Sequence, residues 1–139
     1  MPELSRRVQT FTDSVIRRMT RISDEVDAIN LSQGYPDFPP PKAITDRLRE
    51  VADEGPHQYS VTFGAENFRE ALARKQGRAY GREINPDTEI LVTCGGTEAM
   101  MSAMMTVCNP GDKVIVFSPF YENYGADAIL SGADPIFVP

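Results

Sequence analysis

The sequence predicts an α/β fold: a mainly parallel sheet between layers of helix. Three observations carry this. From about residue 66 onward, helical and extended stretches alternate as α-β-α-β-α-β, with connections of two to six residues, an order that gives parallel strands and right-handed crossovers. The stretches "EILVTC" and "KVIVFS" are apolar without alternation, the pattern of strands covered on both faces. Turn residues punctuate the joints: "NPDT", "NPGD", Gly81 and Gly132.

Val8, Phe11, Val15, Met19 and Ile22 recur at helical spacing with arginines between them, so the chain opens with one or two amphipathic helical pieces. "AINLSQG" reads as a short strand ending at Gly34. "YPDFPPP", residues 35–41, is a rigid extended segment, because its prolines fix φ and remove donors. A helix starts near Pro41, carries Ile44, Leu48 and Val51 as a stripe, and ends at Gly55-Pro56. "HQYSVTFGAE" is an irregular loop bent at Gly64. The next helix holds Phe68, Leu72 and Tyr80 and stops at Gly81. After the strand "EILVTC", a methionine- and alanine-rich helix covers residues 97–107, and "KVIVFS" follows as a second strand. "YENYGADAILSG" is a helix ending near Gly132, and "DPIFVP" is a third strand.

Composition narrows the function. The chain has 139 residues, 41% of them hydrophobic and 24% charged, which suits one ordinary globular domain. The formal net charge of −6, with no basic stripe, argues against nucleic acid and anionic membrane surfaces as partners. No apolar run has transmembrane length, and "MPELSRRVQTF" lacks the apolar core of a signal peptide, so a cytoplasmic location is expected. Cys94 and Cys108 are the only cysteines. The helix between them spans about 15 Å, too far for a disulfide, so both are expected as reduced core thiols. His57 is the only histidine, and no metal constellation can be assembled around it.

The helix at 97–107 shows Ala99, Met100, Met101, Ala103, Met104, Met105 and Val107, with only Glu98, Ser102 and Thr106 polar. A helix apolar nearly all round belongs inside a larger body. Three strands and three helices cannot cover it and both sheet faces as well. A bare edge would remain on the last strand. The pattern therefore calls for more polypeptide or a partner chain.

At "TCGGTEAM" a strand, two glycines and a helix start make a candidate anion site. Free N–H groups and the positive end of the helix dipole face a ligand, and glycines let the backbone approach it. Thr97 adds a hydroxyl that can cap the helix or donate to a phosphate oxygen. The same stretch is equally an ordinary tight βα turn. It is neither a Walker loop nor a G-x-G-x-x-G fingerprint.

"NLSQGYPDFPPP", "HQYSVTFG", "FREALARKQGRAYGREINPDTEI", "LVTCGGTEAM" and "NPGDKVIVFSPFYENY" occur in this order. Together they resemble the first third of the class I/II aminotransferases, fold-type I pyridoxal-phosphate enzymes, over about residues 14–139. The closest likeness is to the subgroup holding kynurenine, glutamine, methionine and many prokaryotic aspartate aminotransferases. The resemblance implies the N-terminal part of a three-layer α/β/α large domain, preceded by an N-terminal arm and the first piece of the small domain. The boundary is set at residues 1–50 for arm and small domain and 51–139 for the truncated large domain. It also implies a homodimer, pyridoxal 5'-phosphate as cofactor, and amino acid and 2-oxo acid as substrates.

By the same resemblance, Gly95, Gly96 and Thr97 match the turn that holds the cofactor phosphate, and Tyr121 matches the aromatic stacked on the pyridine ring. Tyr59 matches a tyrosine that reaches across the dimer to the other subunit's phosphate. Gly34 matches a glycine against the substrate carboxylate, and Ile16 falls near a pocket-lining position. Tyr124, one turn past Tyr121, is expected beside the site or in the core. The family's chemistry also needs a lysine to bond the cofactor and shuttle the α-proton, an acid on the pyridine nitrogen and an arginine fork for the substrate carboxylate. None of Lys42, Lys75 and Lys113, the three lysines of the chain, matches the family's lysine, so no catalytic residue is assigned within these residues. The chain by itself is expected to be inactive. Two readings stay open on these grounds: the N-terminal portion of a working aminotransferase, or a truncated, non-catalytic product that at most binds phosphate. A free-standing nucleotide-binding α/β module fits less of the sequence.

Overall fold

The computed structural model describes residues 3–34, 36–55 and 57–139. Tyr35, at the head of the proline segment, and Pro56, at the foot of the second helix, lie outside the described residues, as do Met1 and Pro2. The chain forms two compact units. One runs up to Thr12 and continues through Val61–Pro139; the other is Asp13–Ser60.

In the smaller unit, α1 (Val15–Glu25) starts at Ser14, whose side chain accepts from the Arg17 N–H at 3.4 Å. Its polar face turns back on the following loop. Thr20 Oγ1 donates to Gln33 Oε1 at 3.2 Å and accepts from Asn30 Nδ2 at 3.1 Å. The loop's own bend is an Asx turn, with the Ser32 N–H donating to Asn30 Oδ1 at 3.0 Å. These side-chain bonds occupy the stretch expected as the strand "AINLSQG". Residues 28–34 carry no strand, because no neighbour offers them a ladder. After Pro41 comes α2 (Lys42–Asp53), laced by ion pairs of Lys42 with Asp46 and of Arg47 with Glu50 and Glu54. Its apolar stripe of Ile44, Leu48 and Val51 is exposed.

The larger unit opens with a 3-10 turn (Arg6–Val8), from which Arg7 Nη1 reaches the Leu130 carbonyl at 3.2 Å. Helix α3 (Glu66–Tyr80) ends on Gly81, whose left-handed φ of 66° lets its N–H close on the Gly77 carbonyl. Then come α4 (Gly95–Val107), β1 (Lys113–Phe117), α5 (Asn123–Leu130) and β2 (Asp134–Val138). Strands β1 and β2 are parallel, with Lys113 opposite Asp134 and Phe117 opposite Val138, and α5 is the crossover between them. The ladder is extended at both ends by Asp134 N–H to Asp112 O (2.8 Å) and Ser118 N–H to Val138 O (2.7 Å). The Ser118–Pro119 peptide bond that follows is cis.

The core of this unit is small: Ala73, Val116, Ala128 and Ala133 are buried. Ala128 and Ala133 let α5 sit close against the sheet. Gly125 does the same, since a Cβ there would lie 3.1 Å from the Phe137 ring.

Four further expectations are corrected. Residues 89–94 form no strand: among the described residues their one backbone bond to another segment is Val92 N–H to Phe63 O at 3.0 Å, and the sheet has two strands rather than three. A strand is defined by its neighbour, so an apolar run without one stays an extended segment. The sheet is covered on one face only. Val116 is buried while Ile115 and Phe117 are 60% and 71% exposed, because α5 packs on the Val116 side. Cys94 is exposed rather than a core thiol; it sits at the open head of α4. Both cysteines are free. The apolar helix α4 starts two residues earlier than expected and buries no residue, with Met105 64% exposed.

Candidate functional site

The site grows from the turn into α4. The Gly95 N–H donates to the Thr93 carbonyl at 2.8 Å around Cys94, whose φ of −75° and ψ of 72° make an inverse γ-turn. Gly95 then takes φ of 77°, a left-handed value that glycine reaches without strain. The Thr93 hydroxyl donates to the Gly95 carbonyl at 3.0 Å and fixes the bend. Glu98 reaches back to accept from the Cys94 N–H.

The consequence is a set of unspent donors. Among the described residues, the N–H groups of Gly96 and Thr97 make no backbone hydrogen bond, as the first turn of a helix dictates. A Cβ built on Gly96 meets nothing within 4 Å, so the space in front of the turn is open. The Glu98 carboxylate shares that helix head, and its charge opposes an incoming anion.

Gly96, Thr97, Met100, Tyr121, Asn123 and Tyr124 line one hollow of about 390 Å³. Packing of α5 on α4 brings the last three residues to the head of α4. Asn123 Nδ2 donates to Thr97 Oγ1 at 3.2 Å, which ties the first turn of α5 to the first turn of α4. Tyr121 and Tyr124 meet edge to face, with centroids 6.0 Å apart and planes at 79°. Tyr124 thereby braces the Tyr121 ring, whose own surface is 48% exposed.

The expected site residues thus fall into two groups. Gly96, Thr97 and Tyr121 share the hollow, with Gly95 adjoining them in the turn. Gly34, Ile16 and Tyr59 belong to the Asp13–Ser60 unit. There Ile16 is half-buried on α1, Gly34 is exposed beyond the Asx turn, and Tyr59 is fully exposed. Asn123 and Thr93 were not foreseen. No local spacing marks Asn123: it meets Thr97 because α5 packs on α4.

Comparison with known proteins assigns the family. The description aminotransferase class I and II matches residues 26–139. The chain belongs to the class I and II aminotransferases. A methionine aminotransferase of Escherichia coli is 39% identical over 119 residues, which cover 86% of this chain and 31% of that protein. Kynurenine–oxoglutarate transaminase 1 of Homo sapiens is 36% identical over 120 residues, 85% of this chain and 28% of its own. Among solved structures, N-succinyldiaminopimelate aminotransferase from Mycobacterium tuberculosis superposes with a TM-score of 0.90 at 31% identity, over 99% of this chain and 36% of that one. The chain spans about a third of the length of the curated relatives it matches. Its fold is that of the N-terminal portion of a fold-type I aminotransferase. No helix among the described residues is long and apolar enough to cross a membrane.

Proposed function

We propose that these residues supply the phosphate and ring contacts for pyridoxal 5'-phosphate in an enzyme that moves an amino group from an amino acid to a 2-oxo acid. One observation carries the reading. In a chain of this family, the two unspent N–H groups of Gly96 and Thr97, the Thr97 hydroxyl and an exposed tyrosine ring converge on a single hollow. The donor set suits a phosphate: it is rich in N–H and O–H groups, it lies at a positive helix end, and no Cβ stands before Gly96.

Each residue has a role in this reading. The Gly96 and Thr97 N–H groups and the Thr97 hydroxyl hold phosphate oxygens. Tyr121 would offer its ring face for stacking on the pyridine ring, with Tyr124 bracing it. Gly95 shapes the turn. Once bound, the cofactor supplies an electron-poor ring that takes up charge from the amino acid's α-carbon. Gly34 lies against the substrate carboxylate, Ile16 lines the substrate pocket, and Tyr59 serves the phosphate of a second subunit in a homodimer. Residues 1–50 form the arm and first piece of the small domain, residues 51–139 the first part of the large domain, and the enzyme works in the cytoplasm.

Magnitudes indicate what else is needed. A helix end contributes about 0.3–2 kcal/mol and one stacked ring about 0.5–1.5 kcal/mol. Micromolar affinity needs about 8 kcal/mol. The rest must come from further groups, first of all a lysine bonded to the cofactor. Lys75 and Lys113 are not among the residues lining the hollow, and Lys42 is paired with Asp46 on α2.

The test is direct. The whole protein, as its gene encodes it, is incubated with pyridoxal 5'-phosphate, dialysed, and scanned for a retained absorption band. It is then given an amino acid and a 2-oxo acid. Retained cofactor and a new amino acid product are expected. A protein that keeps no cofactor contradicts the reading.

A further inference from the structure

We infer that Asn123 is a positioning residue for the phosphate site: its amide holds the Thr97 hydroxyl so that the hydroxyl proton faces the hollow. The inference rests on the phosphate-binding reading of the Gly96-Thr97 turn. The Asn123 Nδ2–H donates to Thr97 Oγ1 at 3.2 Å. A threonine hydroxyl has one proton and two lone pairs. With one lone pair occupied by the amide, the proton cannot also point at Asn123.

No acceptor within the described residues takes that proton, and Thr97 and Asn123 line the same hollow. In many helices a threonine of the first turn caps the helix or bonds back to a carbonyl. The head of α4 is capped differently. The Glu98 carboxylate accepts from the Cys94 N–H and the Thr93 hydroxyl donates to the Gly95 carbonyl, which leaves the Thr97 hydroxyl for another partner. An oxygen that bears negative charge in the hollow is the acceptor such a hydroxyl serves best. Asn123 thus sets the direction of one donor before the ligand arrives, and removes the rotor freedom that binding would otherwise have to freeze.

Asn123 opens α5 and is partly exposed, so its side chain can be shortened without opening the core. The experiment is a double-mutant cycle on the whole protein freed of cofactor: wild type, Asn123→Ala, Thr97→Val and both together. Each is titrated with pyridoxal 5'-phosphate and with pyridoxal, which lacks the phosphate, and each is checked by thermal unfolding. A hydrogen bond to a charged group predicts a loss of about ten-fold or more in pyridoxal 5'-phosphate affinity for Thr97→Val. Asn123→Ala should lose a substantial part of that, and the double variant should be no weaker than Thr97→Val. Pyridoxal affinity should stay level throughout. Equal losses for both ligands, or fully additive losses in the double variant, would overturn the positioning role while leaving the site itself in place. Wild-type protein that distinguishes poorly between the two ligands would overturn the phosphate-site reading and this inference with it.

Discussion

Arg69 donates from Nη1 to Asp87 Oδ1 at 2.7 Å, yet the two ends of this ion pair live in different surroundings: the Arg69 side chain is 8% exposed and the Asp87 side chain 73%. The same guanidinium also donates to the carbonyls of Gly64 (3.0 Å, from Nε) and Pro86 (2.6 Å). One buried cation therefore clamps the loop before α3 to the loop after it.

The asymmetry predicts unequal costs. Arg69→Met should destabilise the whole protein by about 2–4 kcal/mol, because buried carbonyls lose a charged donor. Asp87→Ala should cost about 1 kcal/mol or less, as an exposed partner does. Urea unfolding midpoints of the two variants measure this. Comparable losses would show that the salt bridge, rather than the carbonyl contacts, is what matters.

Gly64 makes a second prediction about the same corner. Its φ is +105°, and a Cβ there would fall 2.4 Å from Val92 Cγ2. Gly64→Ala combines overpacking of about 1–3 kcal/mol with backbone strain of about 1–2 kcal/mol. A thermal midpoint lowered by several degrees is expected. An unchanged midpoint would mean that the contact of residues 63 and 64 with Val92 is not kept in solution.

Asp127 is buried at 4% exposure, and its Oδ2 has no hydrogen-bond partner among the described residues. Burial pushes its carboxyl above the ordinary aspartate range. The folded state then holds the proton more tightly than the unfolded state. Its contribution to stability is thus full in acid and is lost as pH rises from the ordinary aspartate range through the raised value. Asp127→Asn removes the charge at nearly constant volume. The variant should gain stability over wild type near neutral pH, with the difference closing in acid. A pH series of thermal midpoints reads this, and a constant difference across the series would contradict it.

The helical order, the glycine stop at Gly81 and the β1-α5-β2 crossover were legible in the sequence, because periodicity and turn chemistry are local. The stretches 28–34 and 89–94 were not, because an apolar run becomes a strand only beside another strand, and no local signal names the neighbour. The hollow was half legible. Gly96, Thr97 and Tyr121 stand in recognisable motifs, whereas Asn123 matters only because α5 packs on α4. Arg69 sits in a plain helical stretch; what marks it is three acceptors brought in by residues 64, 86 and 87.

The head of α4 is proposed as the seat of a cofactor phosphate, and one titration tests this most directly. Gly96 has no heavy atom within 4 Å of an added Cβ, so Gly96→Val should fold as the wild type does while filling the approach to the free N–H groups. Calorimetric titration of the cofactor-free whole protein with pyridoxal 5'-phosphate should show affinity for Gly96→Val reduced about ten- to a hundred-fold, the scale of one charged hydrogen bond lost, with an unchanged thermal midpoint in the absence of cofactor. Wild-type affinity in that variant would contradict the account.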